Sequence, residues 1–369
     1  MRYKILLTCF FVICSCVFTE PVNTTFDPQK HGFRFDNTFK NDFIKELDIR
    51  TGGLCGGMVY AALDYYNKKK PISTQTYRPA VNAPLHDYIY ERQVRSLTQN
   101  LDKWGEVGIN PLGARNSEFF RWGLQGTHGG RLQELREKID KGIPVPLGLQ
   151  EYGNGGPGNH QVLAIGYDLG RYKGDLKQHQ EDLKIFIYDP NFNRQIKTLV
   201  PDVKKESYYY KENPNKRWRT YFVDKKYSVQ DPIIVPSIPV GKDGLTRELL
   251  LEVMTGGDDL RGGNDNVHAT VHFRDGSSQQ FLNINGQRRW IDNYSQTVSL
   301  VLKKPTSPKD ITKITLTTTF SGGIGGDNWN IDCVKVIARL EVDEVLCYKT
   351  SRPLFRFTGD QKNFVVNLK

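Results

Sequence analysis

The chain has 369 residues, of which 38% are hydrophobic and 25% charged, and its formal net charge at pH 7 is +10. This length and composition predict a globular protein of two domains. Beyond the N-terminal residues no apolar stretch approaches membrane-spanning length, so the sequence predicts a mature protein that is soluble or only anchored.

The first feature along the chain is a targeting segment. Basic residues precede an apolar stretch from Ile5 to Val17, which has the length of a signal-peptide core and is too short to span a bilayer. We therefore predict a signal peptide over residues 1–20 and a secreted protein. An alternative is a lipid anchor at Cys16, because the residues around it loosely resemble a bacterial lipoprotein box.

Of the six cysteines, three lie after the targeting segment, namely Cys55, Cys333 and Cys347. Exported proteins tend to oxidise thiols in pairs, and Cys333 and Cys347 are close in sequence, so these two form a candidate disulfide. Cys55 would then be the unpaired thiol. No two of the three have the short spacing that zinc sites use, so we expect no zinc site.

The unpaired thiol occupies a glycine-rich helix start. The segment Gly52-Gly53-Leu54-Cys55-Gly56-Gly57-Met58 precedes an apolar run and predicts a helix over Cys55–Lys69. A helix N-terminus favours the thiolate, which is the reactive form of cysteine. Glycines on both sides would let a substrate backbone approach closely. The alternative is a structural cysteine buried where helices pack.

The rest of this first unit, over residues 21–230, mixes helix and strand signals. Further helices are predicted over Asp87–Trp104 and Gly130–Lys141. Three strands follow, over Val145–Gln150, His160–Tyr167 and Leu183–Asp189.

Two of these strands carry a reactive side chain at one end. His160 follows a glycine-rich loop and begins an apolar strand, so its ring can stand at the mouth of a cleft. Asp189 ends the next strand, before Pro190 stops it. Antiparallel pairing would place Asp189 behind His160. Taken singly, each residue is more often structural, but together with Cys55 they form a nucleophile, a base and an orienting group.

Much of the positive charge lies in the segment Lys204–Lys226, where basic and aromatic residues interleave. This pattern is typical of a surface that binds nucleic acid or another polyanion. Acidic residues interrupt the segment, and an exported protein meets little nucleic acid. We therefore interpret it as a solvated polar hairpin and expect no nucleic-acid partner.

A proline-bearing connector over residues 231–244 separates the first unit from a second one. Residues 245–340 are strand-like throughout, with Gly, Asp and Asn turns, and a tail over 341–369 is predicted to be extended. Acidic turns can hold Ca²⁺ through hard oxygen donors, although the same residues also make tight turns without a metal. The candidate calcium ligands are Asp258, Asp259, Asp265 and Asp327.

Three short motifs carry the candidate triad: Gly-Leu-Cys-Gly-Gly-Met on a helix, His-Gln-Val-Leu-Ala-Ile-Gly-Tyr-Asp on a strand, and Ile-Tyr-Asp-Pro-Asn. Together they resemble the papain-like superfamily in its bacteriocin-leader-processing form, over about residues 45–195. The resemblance implies an α+β papain-like domain in which Cys55 is the nucleophile, His160 the general base and Asp189 the group that orients the imidazole.

The chain departs from that family at one position. The family usually has a glutamine shortly before the nucleophile that donates a hydrogen bond to the oxyanion, and Ile49 stands there in this chain. Only Asn37 and Asn41 offer an amide between His31 and Cys55, and Asn41 is the candidate donor. Loss of one such donor costs about 2.7–4 kcal/mol in the transition state.

The second unit has an opening strand, Leu251-Glu252-Val253-Met254-Thr255-Gly256, and a later Asp-Asn-Trp-Asn followed by Val334-Lys335-Val336. These residues resemble the lipoxygenase-type β-sandwich, or PLAT domain. The resemblance implies a module that binds membrane surfaces, lipids or proteins. A carbohydrate-binding sandwich is the alternative, in which Trp290 and Trp329 would stack on sugars instead of lying in the core.

The sequence thus predicts an α+β papain-like domain followed by an all-β sandwich. The predicted function is an exported thiol hydrolase that cleaves peptide or related amide bonds, with no cofactor for catalysis and a β-sandwich that contacts a membrane surface, lipid or glycan. Two alternatives stay open. One is a catalytically weak or inactive binding protein with the same scaffold, and the other is an acyl or amide transferase that uses the same thioester chemistry.

Overall fold

The computed structural model describes residues 20–44, 49–153, 158–321 and 326–369. The predicted signal-peptide core and Cys16 lie outside these ranges. Within them, no helix is both long enough and apolar enough to cross a membrane.

The described part of the first unit contains six α-helices: α1 (Pro28–His31), α2 (Cys55–Asn67), α3 (Pro84–Gln99), α4 (Leu101–Gly108), α5 (Asn116–Leu124) and α6 (Arg131–Ile139). Helix α2 is buried continuously from Gly56 to Tyr65, because its sequence is apolar on nearly every side. The single helix predicted over Asp87–Trp104 is two helices. It breaks at Asn100, whose side chain donates a hydrogen bond to the Ser96 carbonyl and so competes with the helix backbone.

Six strands of the first unit form a closed antiparallel barrel. They are β4 (Val145–Glu151), β5 (His160–Asp168), β6 (Lys184–Tyr188), β7 (Ile196–Asp202), β8 (Ser207–Tyr210) and β9 (Asn213–Val223). Their order is β5-β4-β9-β8-β7-β6, and β6 pairs back with β5 to close the ring. The short strand β1 (Val22–Asn23) adds to the end of β5. The sequence predicted β4, β5 and β6, and the hairpin expected within Lys204–Lys226 corresponds to β8 and β9, whereas β7 was not predicted.

Strand β5 is buried on both faces, which explains its unbroken apolar sequence. Val162 and Ala164 point into the barrel core. The alternate residues Leu163 and Ile165 point outward and pack in the core around α2. The barrel and α2 are therefore fixed to each other through β5.

A two-stranded hairpin leads into α2. Its strands are β2 (Lys40–Ile44) and β3 (Ile49–Gly52), paired antiparallel so that Asn41 lies opposite Thr51. The loop that follows β3 delivers Cys55 as the first residue of α2.

The second unit is a β-sandwich of two four-stranded antiparallel sheets. Its strands are β10 (Thr246–Thr255), β11 (Val267–Phe273), β12 (Ser278–Phe281), β13 (Tyr294–Thr306), β14 (Ile311–Thr318), β15 (Trp329–Ala338), β16 (Glu344–Phe357) and β17 (Asn363–Asn367). One sheet has the order β13-β10-β15-β16 and the other β12-β11-β14-β17. The predicted tail supplies β16 and β17, one strand to each sheet, so the sandwich extends well beyond the predicted boundary at residue 340.

The sandwich core follows the alternation of the strands. Val267, Ala269 and Val271 of β11 are fully buried between the sheets. Trp290 and Trp329 are fully buried in the same core, and their rings pack edge to face. Because neither indole is exposed, the alternative in which they stack on sugars does not hold, and both lie in the core.

The candidate disulfide between Cys333 and Cys347 is also wrong, because both thiols are free. The register pairs Cys333 of β15 with Thr350, and Cys347 of β16 with Val336. An offset of three residues puts the two side chains on opposite faces of the sheet and roughly 10 Å apart along the strands, at about 3.3 Å per residue. Cys347 lies in the sandwich core, whereas Cys333 faces outward beside Tyr348.

Candidate active site

The structure brings together the three side chains of the predicted triad. Cys55 begins α2 and His160 begins β5, while Asp189 directly follows β6. The pairing of β5 with β6 sets Leu163 opposite Tyr188, so Asp189 lies beside the start of β5. Nε2 of His160 is 2.7 Å from Oδ1 of Asp189, and the charge of His160 acts on the Cys55 thiol.

The surroundings of Cys55 favour its ionised form. Burial raises the pKa of the thiol, but the interaction with the charge of His160 outweighs burial, so the pKa lies below its ordinary value. Two backbone N–H groups also donate to the sulfur, from Gly56 and from Gln161, the latter at 3.4 Å. The helix start therefore stabilises negative charge on the sulfur.

His160 and Asp189 show the complementary shifts. Burial lowers the pKa of His160, but Asp189 and Cys55 together raise it to about 10. Burial likewise raises the pKa of Asp189, yet the contact with His160 leaves it below its ordinary value. The three shifts together favour a thiolate, an imidazolium and a carboxylate.

Two groups that the sequence did not indicate hold Asp189 in place. The Tyr210 hydroxyl donates to its Oδ2 at 2.7 Å, and the Asn191 backbone N–H donates to its Oδ1 at 2.8 Å. Asp189 itself is 1% exposed. Tyr210 belongs to β8, and its place in a run of three tyrosines gives no signal of this role.

The glycines after Cys55 have a packing role that differs from the predicted one. A Cβ on Gly56 would lie 1.8 Å from Oε1 of Gln161, and a Cβ on Gly57 would lie 2.1 Å from the Ile89 carbonyl oxygen. Gln161 also accepts a hydrogen bond from Ser96 at 3.0 Å. Both glycines thus allow α3 and β5 to approach the start of α2, instead of leaving space for a substrate backbone.

The amide nearest to the nucleophile loop is Asn37, and not the predicted Asn41. Oδ1 of Asn37 accepts the backbone N–H of Leu54 at 2.5 Å, and its Nδ2 donates to Asn191 at 3.0 Å. Asn41 lies farther along the hairpin, where its Oδ1 is 3.4 Å from Nε2 of His86. The loop between α1 and β2, which has no regular structure to predict, places Asn37 beside Cys55's own loop.

Three of the four candidate calcium ligands are paired with arginines. Asp258 pairs with Arg356, Asp259 with Arg289, and Asp327 with Arg261. Burial raises the pKa of Asp327 to about 6, an effect that the charges of Asp265 and Asp259 increase. No cluster of three or more metal-binding side chains occurs in the described parts of the chain. The calcium prediction stays untested.

The basic segment Lys204–Lys226 forms β8, β9 and their flanks. Several of its cations have carboxylate partners: Arg217 pairs with Asp202, Lys225 with Glu134, and Lys226 with Asp102.

Comparisons with known proteins give little. No protein-family model and no curated protein matches the chain. Among solved structures, the alpha-toxin of Clostridium absonum is 23% identical with a TM-score of 0.28, covering 35% of this chain and 32% of the toxin. The alpha-toxin of an avian strain of Clostridium perfringens is 21% identical with a TM-score of 0.24, covering 35% and 34%.

A LOX deletion variant in complex with arachidonate is 14% identical with a TM-score of 0.22, covering 33% of this chain and 16% of that one. The chain thus spans about a third of the length of each toxin. Nothing about the site follows from matches at this level.

Proposed function

We propose that this chain is an exported papain-like thiol hydrolase that cleaves peptide or related amide bonds. The observation that carries the proposal is the pairing of His160 with Asp189 beside Cys55, whose sulfur lies at a helix N-terminus and whose pKa the charge of His160 lowers. A buried structural cysteine needs neither an imidazole partner nor a depressed pKa. The six-stranded barrel packed on a central helix supports the α+β papain-like assignment that the three motifs imply.

In the first half of the reaction the Cys55 thiolate attacks the carbonyl carbon of the scissile amide. A C–S bond forms and the carbonyl π electrons move onto oxygen. The His160 imidazolium then gives its proton to the amide nitrogen, the C–N bond breaks, and an amine leaves a thioester on Cys55.

In the second half, His160, now neutral, takes a proton from water while the water oxygen attacks the thioester carbon. The C–S bond breaks, the carboxylic acid departs, and the thiolate and imidazolium are restored. Asp189 transfers no proton. It holds Nε2 and so keeps the other ring nitrogen, Nδ1, directed at the sulfur.

We propose that Asn37 supplies the oxyanion donor that the missing glutamine would supply. Its Oδ1 is anchored by the Leu54 N–H, so the amide group is fixed beside the loop that precedes Cys55. A Cβ on Gly53 would lie 2.7 Å from Nδ2 of Asn37, which shows how closely the amide approaches this loop. Preorganised donors of this kind act on charge that develops in the transition state.

The β-sandwich is proposed as a PLAT-like module that attaches the hydrolase to a surface or partner. The support is the motif Leu251–Gly256, which lies in β10, a central strand of its sheet, together with the sandwich architecture itself. Release of the thioester to an amine instead of water would make the same site a transferase.

The test is hydrolysis of a fluorogenic peptide library by the full chain and by three variants, one of which is a control. Cys55→Ala and His160→Ala should both abolish turnover, while Cys333→Ala, which changes a free thiol far along the sequence, should not. Turnover that survives Cys55→Ala would rule out this site. An inactive wild-type chain with a normal fold would favour the binding-protein alternative, and product transfer to an added amine in place of water would favour the transferase.

A further inference from the structure

A large cleft lies between α3 and the β-sandwich, and no role has been assigned to it. Its volume is about 930 Å³, within the range of sites that hold a ligand. One wall is the face of α3 that includes Tyr90 and Arg95, and the opposite wall is the sandwich segment from Gln287 to Arg289. The hairpin strand β2 contributes Lys40 and Asn41. Both units of the chain therefore build this cleft.

Hydrogen bonds in and beside the cleft hold the two units together. The guanidinium of Arg78 donates to the carbonyl oxygens of Thr38 and Ser295, and the Tyr77 hydroxyl donates to Glu248 at 2.8 Å. The Val81 N–H donates to Oε1 of Gln296 at 3.2 Å. The cleft is thus a built feature of the fold.

Buried amides with unused hydrogen-bonding capacity line the cleft. Asn41 is 5% exposed and Gln296 is 1% exposed, and the side-chain NH2 group of each has no hydrogen-bond partner among the described residues. Oε1 of Gln99, on α3, is a buried acceptor that likewise lacks a partner there. Leaving such groups unpaired costs about 1–3 kcal/mol each, so the lining favours a ligand that both accepts and donates hydrogen bonds.

The charge of the residues that line the cleft determines which charge a bound ligand should carry. Four basic residues line the cleft against two acidic ones, Asp87 and Glu91. Arg289 pairs with Asp259 and Asp87 contacts His86. Across the described ranges no carboxylate partner is recorded for Lys40, Arg95 or Arg288, so three cations remain available to a ligand. The cleft therefore attracts negative charge.

We infer that this cleft binds an acidic segment of the substrate polypeptide. A peptide offers backbone carbonyls to the unpaired NH2 groups of Asn41 and Gln296 and backbone N–H groups to Gln99, and its carboxylates pair with the cations. An isolated small anion would fill little of the volume and would leave the Gln99 acceptor unpaired. The assignment of the bound segment to a substrate rests on the proposed hydrolase function, whereas the binding itself does not.

Helix α3 lines the cleft with one face and contacts the start of α2, which carries the reactive thiol, with another. Oε1 of Gln93 on α3 accepts the backbone N–H of Gly57, two residues after Cys55, and Ser96 contacts Gln161, the neighbour of His160. The opposite face of α3 lines the cleft. A polypeptide held in the cleft is thereby kept near the thiol, which raises its effective concentration there.

The first experiment measures binding without turnover, on the full chain with Cys55→Ala. Two labelled peptides of equal length, one with Glu and one with Lys at alternate positions, are titrated by fluorescence anisotropy. We expect the Glu peptide to bind and the Lys peptide not to bind. The double variant Arg95→Glu with Arg288→Glu should weaken binding of the Glu peptide by at least about tenfold and allow the Lys peptide to bind.

Lys177→Glu is the matched control, because this exposed lysine lies outside the cleft and its reversal should leave both affinities unchanged. Arg288→Glu alone, at an exposed position, replaces the double variant if that one fails to fold. Equal binding of the two peptides, or an effect of Lys177→Glu as large as that of the cleft variants, would overturn the inference.

The second experiment uses the active chain. With a substrate that carries an acidic extension, the cleft variants should raise KM and leave kcat nearly unchanged, while a short substrate without the extension should show neither effect. If no substrate is hydrolysed by the wild type, the proposed hydrolase function fails and the binding result stands by itself. If both substrates respond equally, the cleft is not where the extension binds.

Discussion

Nε2 of His160 lies 2.7 Å from Oδ1 of Asp189, and this contact engages one nitrogen of the imidazole. The ring nitrogen that remains, Nδ1, is the one left to exchange a proton with Cys55 or the substrate. Because Asp189 is buried and its carboxylate accepts two further hydrogen bonds, from Tyr210 and Asn191, the ring has little freedom to turn. The turn after β6, which carries Asp189 and Asn191, therefore fixes the position of the imidazole in the site.

We predict that Asp189→Ala lowers kcat/KM without abolishing it. A hydrogen bond to a charged group is worth about 1.5–3 kcal/mol, which corresponds to a loss of roughly 10- to 100-fold. Steady-state kinetics on a peptide substrate measure this. Asp360→Ala is the control, because that exposed carboxylate lies in the far end of the sandwich. Wild-type kinetics in Asp189→Ala would show that the contact has no catalytic role.

The pH dependence of kcat/KM follows from the two shifted groups. Activity requires Cys55 deprotonated and His160 protonated, so it should rise as pH passes the lowered pKa of Cys55 and fall as pH passes about 10, the raised pKa of His160. The profile should thus be a bell whose acid limb lies below 9.0 and whose alkaline limb lies near 10. A rate that keeps climbing beyond pH 10 would mean that an imidazolium is not needed.

The two asparagines ahead of Cys55 should behave differently. Asn37→Ala should lower kcat by roughly 10²–10³-fold, the usual cost of an oxyanion donor, with little change in KM. Asn41→Ala should leave kcat close to wild type, because its amide lies at the cleft beside His86. Kinetics of both variants on one short substrate, with melting curves to confirm folding, decide between them. The reverse ranking would restore the donor role to Asn41.

Gly57→Ala should destabilise the fold. The added Cβ would lie 2.1 Å from the Ile89 backbone carbonyl, which cannot move aside cheaply, and overpacking of this kind costs about 1–3 kcal/mol. Gly105→Ala in α4 is the matched control, because its Cβ would meet nothing within 4 Å and alanine favours a helix by up to about 1 kcal/mol. Urea unfolding of both variants gives the two free energies. Equal free energies of unfolding for Gly57→Ala and Gly105→Ala would contradict the close approach of α3 to α2 at Gly57.

The sequence contained most of what fixes the triad. Apolar β5 had to be buried on both faces, and Pro190 had to end β6, so His160 and Asp189 fell at strand ends that pairing brings together. Asn37 and Tyr210 could not be found this way. Their contacts with Leu54 and Asp189 join segments far apart in sequence, through a loop without periodicity and a strand whose register is set by the closed barrel.

The second unit shows the same limit. The alternation of apolar and polar residues predicted the strands of the sandwich. It did not predict that the two strands of the tail, β16 and β17, belong to different sheets. It also could not show that β15 and β16 pair in a register that keeps Cys333 and Cys347 apart. Pairing register depends on long-range packing, which a single strand's pattern does not encode.

The most direct measurement of the central claim is the rate of alkylation of Cys55 as a function of pH, followed by mass mapping, in the wild type and in His160→Ala. In the wild type the midpoint for Cys55 should lie below 9.0, the ordinary thiol value. It should move upward in His160→Ala, because the imidazolium that favours the thiolate is gone while burial remains. Cys333, whose pKa burial raises, is the internal reference and should react only at higher pH in both proteins. A Cys55 midpoint at or above 9.0 in the wild type, or one that His160→Ala leaves in place, would contradict the thiolate–imidazolium site.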